Sequence, residues 1–416
     1  MAENKDGRRS LQVGREIVVP PDIRPKTVRA KKAGDFPAVS AAHLEVARKL
    51  SSPLVNGPPL CDELIALVQH AFSEEEAALV RHLGPYRQRS AKALARAEHR
   101  PLEEIEPMLH VLAEVKRVIA ARGPAGRESY FLMGILPGIF EMSLIGQSPN
   151  CLSPWHRRLA ELVESLYQTG YYADYVGPRK PPGPFVRVLS VGRSIEAHPM
   201  ALPSDRLEIV LDRFKAFGVG QCQCRMTQQV AGKGCGKPIS VCTVMGQWAE
   251  RGIAAGWLKE VSKPEVLAIK RDAEEHGLVT WIMNVESSKG QASCSCCPCC
   301  CYALRMVNDF NAPAVLAPAH FLPRFEEAKC THCAQCARKC PTGATSVDPA
   351  RKTRTWQRQR CIGCGLCLVA CGDRKAVVME PVADYRLPYR SWFSMIASSA
   401  PRVLRRAWQI RRQRER

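Results

Sequence analysis

The 416-residue sequence predicts a modular α+β protein of several domains. Three observations carry this. The chain exceeds what one hydrophobic core holds. Helical spacing from about residue 62 to 116 is followed by a hairpin, and helical and strand-like stretches then mix. Eighteen of the twenty cysteines fall between Cys222 and Cys371. A 46% hydrophobic composition excludes a disordered chain.

Residues 1–58, rich in Pro, Ala and basic side chains with weak periodicity, read as a flexible basic arm. Order is expected from Leu60, opening a domain at 59–150. Residues 62–72 have helical spacing. Ser73 with Glu76 forms a capping box for a second helix. A third is expected at 90–99, and Pro101 opens a fourth with Leu102, Ile105, Leu109 and Leu112 on one stripe. Residues 117–121 and 129–133 then pair as a hairpin around Gly123-Pro124-Ala125-Gly126. Helices followed by a hairpin resemble a winged helix-turn-helix domain. The helix that would face DNA, however, carries Glu103, Glu104, Glu106 and Glu114, with His110 midway and Lys116 and Arg117 only at its end. Acidic side chains facing a polyanion repel it, so docking or scaffolding is expected rather than DNA binding.

A middle domain is expected at 151–325. Trp155, Leu159, Leu162, Val163, Leu166 and Tyr167 mark an amphipathic helix. The run Gly177-Pro178-Arg179-Lys180-Pro181-Pro182-Gly183-Pro184 is a stiff linker. Helices are then expected at 204–214, near 241–251, and from a Ser262/Glu265 cap to Gly277, with strands at 217–222 and 278–285.

Charge is uneven. The formal net charge is +20, but residues 1–32 and 386–416 supply thirteen of it. Thiolates bound to metal lower it further, so the excess is no argument for nucleic-acid binding. Residues 1–10 are too polar for a secretory leader, and the apolar run 130–146 is broken by Pro137 and Glu141. The expected location is therefore cytoplasmic. In a reducing compartment, clustered cysteines point to metal thiolates rather than disulfides. Cys61 and Cys151 stand apart and read as small buried hydrophobes.

Two runs carry the clearest chemistry. Cys330, Cys333, Cys336 and Cys340-Pro341 follow C-x2-C-x2-C-x3-C-P. Cys361, Cys364, Cys367 and Cys371 repeat three close cysteines and a fourth. Two-residue gaps let a loop wrap an iron–sulfur cubane, and the fourth cysteine reaches the other cluster. Zinc prefers two C-x2-C pairs separated by a longer loop. By the crossing rule Cys330, Cys333, Cys336 and Cys371 hold one [4Fe–4S] cluster, and Cys361, Cys364, Cys367 and Cys340 the second. Strands are expected at 344–347, 354–357 and 376–379. Residues 326–385 thus resemble the two-cluster bacterial ferredoxin domain. Gly372 stands where that family usually has Pro. His332, inside the first loop, either tunes its cluster or fills solvent space.

Cys222, Cys224, Cys235 and Cys242 precede Cys294, Cys296, Cys297, Cys299, Cys300 and Cys301. On a strand, Cys222 and Cys224 share a face; Gly232, Gly234 and Gly236 permit close backbone approach. A further iron–sulfur cluster, a zinc site, and thiol–disulfide or persulfide chemistry are the three readings. Neither group alone makes a closed four-point cage, so a cluster would draw on both. Arg225 either donates to sulfur or pairs with a carboxylate. CQCR, CSCCPCCC and the terminal module together resemble iron–sulfur proteins of anaerobic bacteria and archaea over most of 60–380. That resemblance implies no substrate.

The tail, 386–416, sets Trp392, Phe393, Met395, Ile396, Val403, Leu404, Trp408 and Ile410 among arginines and is interrupted by Pro401. It reads as a docking segment for an acidic redox partner or as a peripheral anchor on the cytoplasmic membrane face. Three functions follow: an electron carrier or electron-transfer subunit with redox partner proteins, a redox-responsive winged-helix regulator, and an iron–sulfur/thiol oxidoreductase with its active site in the middle domain.

Overall fold

The computed structural model describes residues 24–415 apart from Tyr86, Pro124, Ala125, 177–183, Glu196, Ala197 and Ser288, with backbone segments at 2–3, 9–13 and 16–18. The side chains of Arg193, Ser399, Arg402, Val403, Arg406, Ile410 and 413–415 lie outside the described set, as does most of the expected 177–184 linker. The chain divides into two compact units, one of residues 26–175 with 401–416, the other of 1–25 with 176–400.

In the first unit, helices Asp62–Ala71, Glu74–Val80, Ala91–Glu98 and Leu102–His110 follow the predicted stripes. Leu64, Leu79, Leu94, Ile105, Leu109 and Leu112 are fully buried. The Ser73/Glu76 capping box forms in both directions. Strands Ile119–Arg122 and Ser129–Leu132 pair antiparallel, and Arg89–Ser90 adds a third strand beside Ser129–Leu132. Two residues of strand are too few to show period-two patterning. Glu103, Glu104 and Glu106 are exposed. Lys116, the one Lys of that end, bonds Glu76 at 2.5 Å, and Arg117 is buried, donating to Met142 O and Ser143 O.

Part of the stretch read as an arm is folded. Ala41–Leu50 is a helix capped by Ser40, with Val46, Ala47 and Leu50 buried. His43 joins it to the next helix, its Nε2 lying 2.9 Å from Phe72 O. The stripe is short and its neighbours charged, so periodicity was weak. Helix Pro154–Gln168 buries the predicted Leu159, Leu162, Val163, Leu166 and Tyr167. Cys61 is buried, which pushes its thiol up to about 12, whereas Cys151 is exposed, contrary to expectation.

The second unit is organised by a six-stranded antiparallel sheet. From one edge the order is Lys259–Glu260, Phe217–Gly220, Cys242–Gly246, Gly290–Cys296, Val279–Met283, Val186–Val188. The helix expected near 241–251 is half strand: Cys242–Gly246 runs through the sheet centre, and helix Gln247–Ala254 begins after Gly246 at φ +68°. All five residues of that strand are buried, so no alternation marks it. The expected helix at 204–214 shrinks to Leu207–Leu211. The Ser262/Glu265 box caps helix Lys263–Glu275 as predicted, with Gly277 at φ +69° beyond it.

Beyond the sheet, Thr345–Asp348 pairs with Thr353–Trp356, and Val377–Pro381 pairs with Phe321–Phe325. The last pairing draws in a strand from before residue 326, where the sequence reading placed the domain boundary. Helix Trp392–Glu415 continues through Pro401 instead of breaking there. Among the described residues no helix is long and apolar enough to cross a membrane.

Candidate metal centres

The two cysteine runs follow the same backbone path. In the first, His332 (φ +53°) and Ala334 (φ +59°) are left-handed; in the second the equivalent positions are Gly363 (φ +66°) and Gly365 (φ +76°). Each loop leads into a short helix, Gln335–Arg338 and Leu366–Cys371. The cradle therefore comes from alternating handedness, which aims the amides inward.

Their surroundings differ. Cys330, Cys333, Cys336 and Cys371 line one shallow cavity with His332 and Arg354. Of these only Cys336 is buried. In the second run Cys361 and Cys364 are buried. Burial pushes the Cys364 thiol up, and the Cys367, Cys340 and Cys361 sulfurs add to this. Thus Cys371 sits with the first run and Cys340 with the second.

Glycine is required in the second loop by packing. A Cβ on Gly363 would lie 2.3 Å from Phe321 O, and one on Gly365 would lie 2.4 Å from Ser194 Oγ. Ser190 Oγ donates to Gly363 O at 2.7 Å, and Val191 N donates to Cys364 O at 2.9 Å. Gly372 has φ +58°, which Pro, fixed near −65°, cannot adopt. This accounts for the departure noted in the sequence.

Hydrogen bonds to sulfur stabilise thiolate or cluster charge. His332 N reaches Cys330 Sγ at 3.3 Å, and Ala344 N reaches Cys340 Sγ at 3.2 Å. The His332 ring is mostly buried, with Nε2 3.4 Å from a Glu327 oxygen. Arg354, which the sequence reading passed over, donates to Cys330 Sγ at 2.5 Å and to Glu327 at 3.1 Å. Arg360, also missed, donates to Thr342 O and to Asn311 and Asn308. Strand alternation around Arg354 was the available signal, since Thr353 and Thr355 face solvent.

The ten middle cysteines separate into two sets. In one, the sulfurs of Cys235, Cys297, Cys299 and Cys300 all lie within 4.8 Å of one another. In the other, neighbouring thiols interact in a row: Cys222 with Cys224, Cys224 with Cys301, Cys301 with Cys296, Cys296 with Cys294, Cys294 with Cys242. The neighbouring Cys224 and Cys296 thiols hold the Cys301 thiol down to about 5. The neighbouring Cys242 and Cys296 thiols hold Cys294 low as well.

Cys222 and Cys224 do meet, but on a helix start rather than a strand. The strand ends at Gly220, and Cys222 is the N-cap of helix Gln223–Val230. Cys294 and Cys296 share a face of strand Gly290–Cys296, and Cys301 caps helix Tyr302–Asp309. Buried Lys270, also missed, donates to Ser293 O at 2.9 Å, Ser295 Oγ at 3.2 Å and Val241 O at 3.3 Å. Arg225 takes the sulfur option, donating to Ser295 O at 2.9 Å and Cys297 Sγ at 3.7 Å.

Residues 322–372 match the family model described as a 4Fe-4S dicluster domain. The chain is 38% identical over 103 residues to AegA of Escherichia coli (strain K12), covering 22% of this chain and 15% of that protein. It is 36% identical over 101 residues to the electron transport protein HydN of the same strain, 21% and 55% of the two chains. It is 34% identical over 93 residues to the thiosulfate reductase electron transfer subunit PhsB of Salmonella typhi, 19% and 47%. The chain thus spans about half the length of HydN and PhsB and a smaller part of AegA. No solved structure matches it. This chain therefore carries a 4Fe-4S dicluster domain in its C-terminal half and is similar, over about a fifth of its length, to proteins named for electron transport and transfer.

Proposed function

We propose that this chain is an iron–sulfur electron-transfer protein, or the electron-transfer subunit of a larger oxidoreductase, holding two [4Fe–4S] clusters on crossed ligand sets. Cys330, Cys333, Cys336 and Cys371 would hold one, and Cys361, Cys364, Cys367 and Cys340 the other. The observation that carries this is the return of each fourth cysteine to the opposite run within the matched stretch. When bound, such clusters supply one-electron exchange without proton chemistry of their own. The residues around them orient that exchange. The first loop, half-exposed and lined by Arg354 and His332, is the face offered to a redox partner. The second is buried against 189–194.

A second, compatible reading is supported by the path beyond that second loop. Asn308 Nδ2, at the end of the helix that Cys301 caps, donates to Pro341 O at 3.0 Å, next to Cys340. Cys296, Cys301 and Cys364 share one apolar cluster with Ile362 and Leu304. The six-thiol row thereby adjoins the second run through shared packing, which favours an oxidoreductase centred in the middle domain. The order of strands Arg89–Ser90, Ser129–Leu132, Ile119–Arg122 after paired helices supports a winged-helix-like leading domain, used for docking rather than DNA. Phe393, Ile396, Leu404 and Trp408, exposed among arginines, suit contact with an acidic partner.

Iron and acid-labile sulfide counted on protein purified without oxygen, with EPR of the reduced sample, test both readings. About eight irons and two interacting [4Fe–4S] signals are expected from the terminal module. A third paramagnetic centre that disappears in Cys296→Ser would extend the path to the six thiols; its absence would confine the path to the terminal module. About four irons or fewer would overturn the two-cluster reading.

A further inference from the structure

We infer that Cys235, Cys297, Cys299 and Cys300 bind a single tetrahedral metal ion, zinc, at a closed site separate from the iron–sulfur centres. Zinc–thiolate bonds of about 2.3 Å set the sulfurs of a tetrahedron about 3.8 Å apart. Cys235 Sγ lies 4.0 Å from Cys297 Sγ, and Cys299 Sγ lies 3.7 Å from Cys300 Sγ. All four fall within 4.8 Å of one another. In a cubane each thiolate binds a different iron, so its ligands must stand farther apart. The cysteines of the dicluster domain form no such compact group among the described residues.

The ligands come from two places in the chain. Cys235 stands on a loop bounded by Gly232 (φ +71°) and Gly236 (φ +67°). Cys297, Cys299 and Cys300 lie in the turn after strand Gly290–Cys296. The loop is positioned independently, by Lys233 N to Gln228 O at 2.7 Å and Lys237 Nζ to His276 O at 2.6 Å. Val241, Ala273 and Leu278 pack with the buried Cys297 and Cys300, and Ile269 lies against them, while Cys235 and Cys299 are half-buried. A closed four-cysteine shell is the arrangement of structural zinc. Four thiolates on one divalent ion leave two negative charges, and the buried Arg225 guanidinium, 3.7 Å from Cys297 Sγ, offsets part of them. The ion would pin the 231–240 loop across the sheet end and leave Cys222, Cys224, Cys242, Cys294, Cys296 and Cys301 as a distinct set.

The test is metal analysis and zinc X-ray absorption on the full chain purified without oxygen. About one zinc per chain, bound by four sulfurs at about 2.3 Å, is expected. The double variant Cys299→Ser, Cys300→Ser should lose that zinc while its iron and its reduced EPR signals stay at the unaltered level. The absorption measurement needs no variant, so it holds even where the double variant fails to fold. Zinc well below stoichiometry, zinc with oxygen or nitrogen ligands, loss of about four irons in the variant, or a mononuclear iron signal from the site would each overturn the assignment. Because iron and zinc are counted separately, failure here leaves the dicluster reading standing, and the reverse also holds.

Discussion

Arg354 Nη2 donates to Cys330 Sγ at 2.5 Å while its Nη1 bonds Glu327 at 3.1 Å. The guanidinium also lies over the Phe325 ring, 4.2 Å from its centroid, and its side chain is almost fully buried. A fixed cation on one thiolate favours the more negative, reduced state of whatever that thiolate holds.

Arg354→Leu should therefore lower the reduction potential of the first centre and leave the second nearly unchanged. A one-electron couple moves about 59 mV for each 1.4 kcal/mol. Loss of a charge-assisted hydrogen bond, about 1.5–3 kcal/mol, bounds the shift at about 60–130 mV. Potentiometric EPR titration reads it; equal shifts in both centres would count against the assignment of Cys330 to one of them.

Gly363, Gly365 and Gly372 all have positive φ, but only the first two face close neighbours. Gly365→Ala should destabilise the protein by about 1–3 kcal/mol from overpacking, with about 1 kcal/mol more for the backbone. Gly363→Ala, which meets a backbone oxygen, should cost at least as much. Gly372→Ala, with open space around it, should show the backbone part alone. Denaturant unfolding of the three variants checks the order; similar losses in all three would contradict the packing argument.

His156 gives the first unit an acid-side liability. Burial, then the nearby Arg117 and His70 charges, lower its pKa from 6.5 to about 4. The unfolded chain therefore binds a proton that the folded one rejects, and this contribution erodes as pH falls from about 6.5 to about 4. Above 6.5 it is constant. His156→Gln should flatten the fall of the unfolding midpoint across that window. An unchanged slope would show that other groups dominate it.

The dicluster domain was legible in advance because cysteine spacing is a local property. Cys330 to Cys340 and Cys361 to Cys371 mark their loops without any knowledge of partners, and the Ser73/Glu76 and Ser262/Glu265 caps mark their helices by bonds that close within three residues. The middle cysteines were not legible in the same way. Their sets depend on which sheet strands are neighbours, and strand Cys242–Gly246, buried on both faces, hides the alternation that would have announced it.

By itself the sequence determined the dicluster motif, the helical stripes of the first unit and the concentration of thiols in the second. Tertiary structure alone decided that Cys235 joins Cys297, Cys299 and Cys300 across more than sixty residues, and that Arg354, Arg360 and Lys270 bond to the segments that bear the cysteines. It also decided that Gly363 and Gly365 face inward while His332 and Ala334 do not have to be glycine. The physical reason is that local hydrogen bonds and φ preferences are written residue by residue, whereas the distance between two thiolates is set by how a whole sheet brings its strand ends together.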